Sequence, residues 1–295
     1  MFAVQATTDN TTHLKNTEIL VEKIQDADAV VVGAGSGLSS AAGYNHYHWT
    51  PAMERFLKDF KAYYGFSSPF SGFYHCYSSP EQQWAYYAGY INAMYSVPTG
   101  QPYLDLRELL NGKDYFILTT NVDMQCERVF PAEKICDYQG SMGYFQCSQP
   151  CHDRIYENRD SILQMNRAVQ GVTLPPDLVP RCPECGRIMV PWVRDDTFLE
   201  GNVWKEAVKR YEDFLAKYLI RQPEKKVLLL ELGVGEMTPG VIKLPFWSMT
   251  EKNPQVFYAC LNKKPSSAPE HLRGRSLYIV GDLSETLKLL KAALR

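Results

Sequence analysis

The sequence predicts an α/β protein: a Rossmann-like, doubly wound parallel sheet with a smaller helical and zinc-ribbon-like domain formed by two insertions. Three observations predict it. Five short apolar runs recur along the chain, apolar on both faces rather than alternating, as strands covered by helices on both sides must be. Helical patterns lie between them. Four cysteines fall in two close pairs inside a segment, 146–200, that has little periodicity of its own. The 295 residues are 45% hydrophobic and 22% charged, enough to bury one large or two modest cores.

Leu14, Leu20 and Ile24 predict a helix ahead of the first strand, "AVVVGAG" at 29–35. Further strands are expected at 114–121, 226–233, 256–262 and 277–281. A long helix is expected over 203–220, with Asn202 as its N-cap and Trp204, Val208, Tyr211, Leu215 and Tyr218 on one face. A last helix closes the chain over 284–294, capped by Ser284, with Leu287, Leu290 and Leu294 inward.

Two segments break the β/α rhythm. Residues 44–110 are aromatic-rich and carry two helical stripes. One is Met53, Phe56, Leu57, Phe60 and Tyr64, started by Thr50-Pro51; the other is Trp84, Tyr87, Ile91, Met94 and Tyr95. Both read as core. The expected division is a nucleotide-binding unit of residues 1–43, 111–145 and 221–295, and a small unit of 44–110 and 146–220.

Composition excludes some classes. A net charge of −2 argues against nucleic acid or an anionic membrane as a partner. The stretch "MFAVQATTDNTTHLKN" lacks a basic region followed by an apolar one, and the apolar runs are strand-sized. The expected location is cytoplasmic, where the 8 cysteines read as thiols or metal ligands rather than disulfides.

"VVVGAGSGLSSAAG" (30–43) is a strand, a glycine turn and a small-residue helix start. Gly33 and Gly35 permit positive φ and close approach, so that free N–H groups can meet a phosphate. A plain tight βα turn is the alternative. The usual dinucleotide fingerprint needs glycine where Leu38 stands, and an acid ending a second strand about 20 residues on. The chain instead enters "YNHYHWTPAMERF". After the second strand, Thr119, Thr120, Asn121 and Asp123 occupy the edge where ligands of such sheets sit. Asp123 reads either as a helix cap or as site chemistry.

Together these pieces resemble the sirtuin family. Gly33-Ala34-Gly35 with Ser39 to Gly43 resembles its G-A-G-x-S motif, Thr119 to Asp123 its T-Q-N-x-D, and Gln139-Gly140-Ser141 its H-G. Leu232 to Gly235 with Pro239 resembles its L-G-T-S…P segment, Leu261-Asn262 its I-N pair, and Gly281-Asp282 its terminal adenine-side loop. The departures are Gln139 where sirtuins carry histidine, Asn45-His46-Tyr47-His48 where they carry a Pro-Asp-Phe-Arg run, and Thr120 for their glutamine. With these the chain looks like the macrodomain-linked bacterial sirtuins.

That resemblance implies an NAD-dependent protein mono-ADP-ribosyltransferase. It also implies a lipoyl-carrier protein related to glycine-cleavage H protein as target, and a functional link to a macrodomain hydrolase. By the same resemblance Asn121, Asp123 and Gln139 carry the chemistry. Gly33, Ala34, Gly35, Ser39, Gly43, Thr120, Gly233, Val234 and Gly235 line the nucleotide, with Asn262, Asp282 and Leu283 toward its adenosine end.

Gln139 decides between reactions. Sirtuin deacylation uses a histidine base at this position, worth ~10²–10⁴-fold. A glutamine cannot take the proton, but it can hydrogen-bond ribose hydroxyls. Nicotinamide departure needs positioning and charge stabilisation, not that base. The substitution argues for transfer and against efficient deacylation; an NAD hydrolase, or a module that binds NAD without acting on it, remains the alternative.

Cys147-x₃-Cys151 and Cys182-x₂-Cys185 are paired ligand spacings, with Gly186 completing a knuckle, and they point to one structural Zn²⁺. The alternative is free thiols, and His152 is a possible substitute ligand. Cys126, just past the Asn121–Asp123 motif, reads as a buried small hydrophobe or as facing the site. His46 and His48 read as loop residues or as contacts to substrate or phosphate.

Overall fold

The computed structural model describes residues 10–235, 239–264 and 269–294. The first nine residues of the expected nucleotide unit therefore lie outside the described residues, as do 236–238 beside Gly235. A six-stranded sheet is built from β1 (Ala29–Ala34), β2 (Asp114–Thr119) and β3 (Ile135–Asp137) on one side, and β7 (Val227–Leu232), β8 (Val256–Asn262) and β9 (Ser276–Val280) on the other. Its order is β3-β2-β1-β7-β8-β9 and every pairing is parallel. A second, antiparallel sheet joins β4 (Gly140–Cys147), β5 (Tyr156–Glu157) and β6 (Met189–Val193) in the order β5-β4-β6.

All five expected strands form. The short edge strand β3 was not anticipated, because "ICD" is too brief to show a pattern.

Helices α1 (Asn10–Asp26), α2 (Ser36–Ala41), α3 (Pro51–Tyr64), α4 (Pro69–Phe73), α5 (Pro80–Ser96), α6 (Gln101–Leu109), α7 (Arg159–Ala168), α8 (Asn202–Ala216), α9 (Lys243–Lys252) and α10 (Leu283–Ala293) complete the fold. Alternate residues of each central strand enter different cores. Val30, Val32 and Ala34 pack with Leu20, Ile24, Leu106, Leu287 and Leu290 from α1, α6 and α10. Ala29 and Val31 pack with Phe214, Phe246 and Tyr258 on the opposite face. A third core belongs to the insertions: Trp84, Tyr86 and Tyr90 of α5 meet Met53, Leu57 and Phe60 of α3, and Phe145, Met165 and Met189 beyond.

Several local expectations are corrected. Leu14 is 54% exposed, so the apolar stripe of α1 starts later, at Leu20. Asn202 is the first residue of α8 and Gly201 its cap. That helix turns at Lys217 into a single π-turn ending at Arg221. Asp282, not Ser284, caps α10, accepting from the N–H groups of Ser284 and Glu285. Thr50 caps α3 as expected. In α5 the residues from Trp84 to Met94 are all buried, so its stripe widens into the central helix of the small core. Helices α6 and α8 fall in ranges expected for the small unit, yet α6 packs in the core beneath the sheet and α8 against β2 and β3.

Candidate active site

The chain leaves β1 for β2 and β3, then returns to β7 at the other side of β1. That reversal opens a crevice above the carboxyl ends of β1 and β7. Two loops form it. Gly35 N–H donates to Leu232 O (2.9 Å) and Gly37 N–H to Gly233 O (2.9 Å). A Cβ on Gly35 would stand 2.6 Å from Val234 Cα, and one on Gly37 2.7 Å from Gly233 Cα. The glycines are therefore demanded by backbone packed on backbone. Neither Gly33 nor Gly35 has positive φ, which corrects the expected reason for them. Gly33 lies within β1, and a Cβ there would meet Ile242 and Phe246 under α9.

The other expected nucleotide residues divide. Asn262 Nδ2 donates to Val234 O (2.9 Å), tying the end of β8 to the 233–235 loop. Gly281 N–H donates to Asn262 O (3.0 Å), which brings Asp282 to the same crest. Gly235 stands in open space. Ser39 and Leu283 instead turn inward: the Ser39 hydroxyl meets Tyr103 OH (3.3 Å), and Leu283 is in the core. Gly43 turns the chain at φ 83° after α2.

Asn121 is fixed from both sides. Its N–H donates to Thr119 Oγ1 (3.0 Å). Its Nδ2 donates to Gly35 O (3.0 Å) and Tyr103 OH (3.3 Å), which leaves Oδ1 as a presented acceptor. The neighbouring Thr120 N–H donates to Ala34 O (3.1 Å). No α-helix follows Asp123, so the helix-cap reading is removed. Its Oδ1 accepts from Gln125 N–H (3.1 Å), while its Oδ2 is buried without a protein partner. Next to it Met124 holds φ 63°, a left-handed conformation that costs energy outside glycine.

Gln139 follows β3. Tyr138 N–H donates to Thr119 O (3.0 Å) and Arg194 N–H to Gln139 O (3.0 Å), so its backbone is clamped. Gly140 has φ 80°, and a Cβ there would lie 2.1 Å from Trp192 O. The Gln139 amide itself makes no hydrogen bond within the protein and is half-buried.

Three residues here were not anticipated. Ser141 Oγ donates to Glu127 Oε1 (2.5 Å), and Asp137 stands nearby. Burial pushes the Asp137 carboxyl well above the ordinary carboxylate range, reinforced by Glu127 and Asp123. Burial also raises Glu127, against the hydrogen bond from Ser141. Tyr103, far away in sequence, anchors both Ser39 and Asn121. The acids had a sequence signal: each adjoins a motif, in "MQCER" and "ICDYQG".

The cysteine quartet closes on one point. Cys147 and Cys185 are 3.6 Å apart at sulfur, Cys151 and Cys182 also 3.6 Å, and all four sulfurs lie within 4.8 Å of one another. Tetrahedral zinc with Zn–S of about 2.3 Å requires sulfur–sulfur edges of about 3.8 Å. The donors fit that ion. Gly186, at φ 71°, turns the knuckle. His152 borders the quartet: its Nδ1 lies 3.2 Å from Cys151 Sγ and 3.9 Å from Cys182 Sγ, while its Nε2 bonds Tyr156 OH (2.7 Å). Cys126 is buried in the core.

No model of a described protein family matches the chain. Solved structures do. A Sir2–p53 peptide–NAD⁺ complex superposes with TM-score 0.62, covering 94% of this chain and 98% of that one at 16% identity. A Sir2 homologue–NAD complex gives 0.55, covering 94% and 95% at 16% identity. The protein thus has the sirtuin fold, a parallel sheet carrying a small unit with a four-cysteine cluster. Among curated proteins, a protein ADP-ribosyltransferase of Staphylococcus aureus (strain Mu50) is 34% identical over 288 residues, 95% of this chain and 88% of its own. The chain belongs to that family of sirtuin-fold ADP-ribosyltransferases. A probable bifunctional ADP-ribose hydrolase/ADP-ribosyltransferase of Fusarium oxysporum f. sp. cubense is 30% identical over 235 residues, which are 76% of this chain but only 38% of that protein. No helix among the described residues is long and apolar enough to cross a membrane.

Proposed function

We propose that this protein transfers ADP-ribose from NAD to a side chain of another protein and releases nicotinamide. The observation that carries the reading is the unspent hydrogen-bonding capacity of the crest: Asn121 Oδ1, Asp123 Oδ2 and the Gln139 amide have no protein partner, and no titrating base stands at 139. The residues present fit NAD. Asp123 Oδ2 can accept from the nicotinamide carboxamide, and Asn121 Oδ1 and Gln139 can hold the ribose or orient the incoming nucleophile. Gly35 and the 233–235 loop border the phosphates in this reading, with Asn262 and Asp282 toward the adenosine. A Cys₄ zinc would hold the small unit's wall of the cleft.

The reaction needs these groups to orient the ribose, exclude water and meet developing positive charge at its anomeric carbon. A side-chain nucleophile then completes the transfer in one displacement. Deacylation would need a base that Gln139 cannot be.

As acceptor we propose a lipoylated carrier protein related to glycine-cleavage H protein, on the family resemblance of the motifs. A functional partnership with a macrodomain hydrolase belongs to the same reading; it is supported by the Fusarium relative, whose name joins hydrolase and transferase in one protein. The test is mass spectrometry of lipoylated and unmodified carrier after incubation with the enzyme and NAD, beside an acetyl-lysine peptide. ADP-ribose on the lipoylated carrier and a negligible rate on the peptide are expected. Efficient peptide deacylation without carrier modification would reverse the assignment.

A further inference from the structure

Besides Asp123 Oδ2, a second buried polar atom has no protein partner. Tyr44 is 1% exposed and its hydroxyl has no protein partner, as is true of Asp123 Oδ2 in a residue also 1% exposed. A run of hydrogen bonds joins their surroundings: Tyr44 N–H to Ser39 O, the Ser39 hydroxyl with Tyr103 OH, and Asn121 Nδ2 to Tyr103 OH, two residues before Asp123. Leaving both unsatisfied in the interior is costly, and a ligand that offers each its complement would remove that cost.

The Tyr44 ring is held rigidly. Its N–H donates to Ser39 O (2.9 Å). The His46 ring packs edge-on against it, with centroids 5.0 Å apart at 79°. His46 is in turn fixed by Tyr90, whose hydroxyl lies 2.5 Å from His46 Nδ1. Burial keeps the Tyr90 phenol protonated, so it donates to Nδ1. The main chain of His46 is pinned as well, its carbonyl accepting from Phe70 N–H (2.9 Å). Burial likewise pushes the Tyr44 phenol far above its ordinary range, so at neutral pH the hydroxyl is a donor.

A carboxylate oxygen can only accept; a buried phenol can donate. A primary carboxamide offers the complement, an N–H₂ that donates and a carbonyl that accepts. We infer that Tyr44 is a specificity-determining residue for the nicotinamide end of NAD: its hydroxyl takes the carboxamide oxygen while Asp123 Oδ2 takes the carboxamide nitrogen, and His46 and Tyr90 position the Tyr44 ring. The inference rests on the NAD reading above. It gives the loop after Gly43, which departs from the sirtuin pattern, a recognition role without any titrating catalytic group.

The test uses the full chain and Tyr44→Phe, titrated by calorimetry with NAD, with ADP-ribose and with thionicotinamide adenine dinucleotide, whose sulfur is a poor acceptor. The variant is expected to bind ADP-ribose as the wild type does and NAD roughly 3- to 10-fold more weakly, the loss of one neutral hydrogen bond. Wild-type protein is expected to prefer NAD over the thio analogue by a similar factor, and Tyr44→Phe to lose that preference. Equal loss for NAD and ADP-ribose would make Tyr44 structural and overturn the inference. So would a wild type that binds NAD and the thio analogue equally, a readout that needs no variant to fold. A wild type that binds neither NAD nor ADP-ribose would sink the NAD reading itself, and this inference with it.

Discussion

The crest of the parallel sheet and the cysteine quartet are opposite kinds of polar site. At the crest, side chains end in atoms left over after the fold has been satisfied: Asn121 Oδ1, Asp123 Oδ2, Tyr44 OH and the Gln139 amide. At the quartet, four sulfurs within 4.8 Å all face one point. Open capacity is what binds and turns over a substrate; a closed tetrahedral shell leaves no position for chemistry and serves the scaffold. One strand joins the two, since β4 starts at Gly140 beside Gln139 and ends at Cys147. The scaffold site can therefore stiffen the chemical one through a single stretch of backbone.

The largest effect that separates them is loss of the metal. Cys182→Ser is expected to take zinc from one ion per chain to near none and to cost on the order of 5 kcal/mol of folding free energy. Metal analysis and calorimetric unfolding read both quantities. Wild-type protein purified without chelator but free of zinc would end the contrast. Asn121→Ala should do the reverse. Nicotinamide release from NAD is expected to fall about 10²-fold or more, because the presented acceptor is lost. Stability should drop by only about 1–2 kcal/mol, for the hydrogen bonds to Gly35 O and Tyr103. A variant that melts far lower, yet turns over normally when folded, would reassign Asn121 to the scaffold.

Much of this was legible in the sequence, and the reasons differ by region. Buried parallel strands announce themselves as runs apolar on both faces, so the five longer strands of the parallel sheet were readable, whereas β4 of the antiparallel sheet was not. The quartet was readable because ligand spacing is local. What stayed hidden depends on distance in sequence. Tyr103 reaches Ser39 and Asn121 across 64 and 18 residues. Helices α6 and α8 sit inside insertions by position but return to the sheet by packing, which no local pattern reveals. The caps of α8 and α10 were each misread because Asn202 and Ser284 are good cap types one or two residues inside the true start. The glycines of the turn were read correctly as special but for the wrong reason. Their need comes from Ile242 and Phe246 for Gly33 and from the Gly233–Val234 backbone for Gly35, about two hundred residues away.

The smallest expected effect concerns the acids behind the crest. Asp137 faces Glu127 and Asp123, and burial raises its carboxyl well above the ordinary range. The folded state therefore holds that proton more tightly than the unfolded chain does. The stabilisation from binding it is complete below the ordinary carboxylate pKa of about 4 and is lost as pH rises toward the raised folded value. Above the ordinary carboxylate range the wild type therefore bears the cost of burying this acid beside Glu127 and Asp123. Asp137→Asn removes the titrating group and should raise the melting temperature near neutral pH by about 2–4 °C, equivalent to roughly 1 kcal/mol, and flatten the fall of stability with rising pH. Calorimetric melts of both proteins from about pH 5 to about pH 8 measure the difference in slope. Scaffold groups are not expected to be kept at a stability cost, whereas functional ones commonly are. If Asp137→Asn melts lower than wild type at every pH, the acids support the fold as the thiols do, and the division between open crest and closed quartet would have to be drawn closer to Asn121.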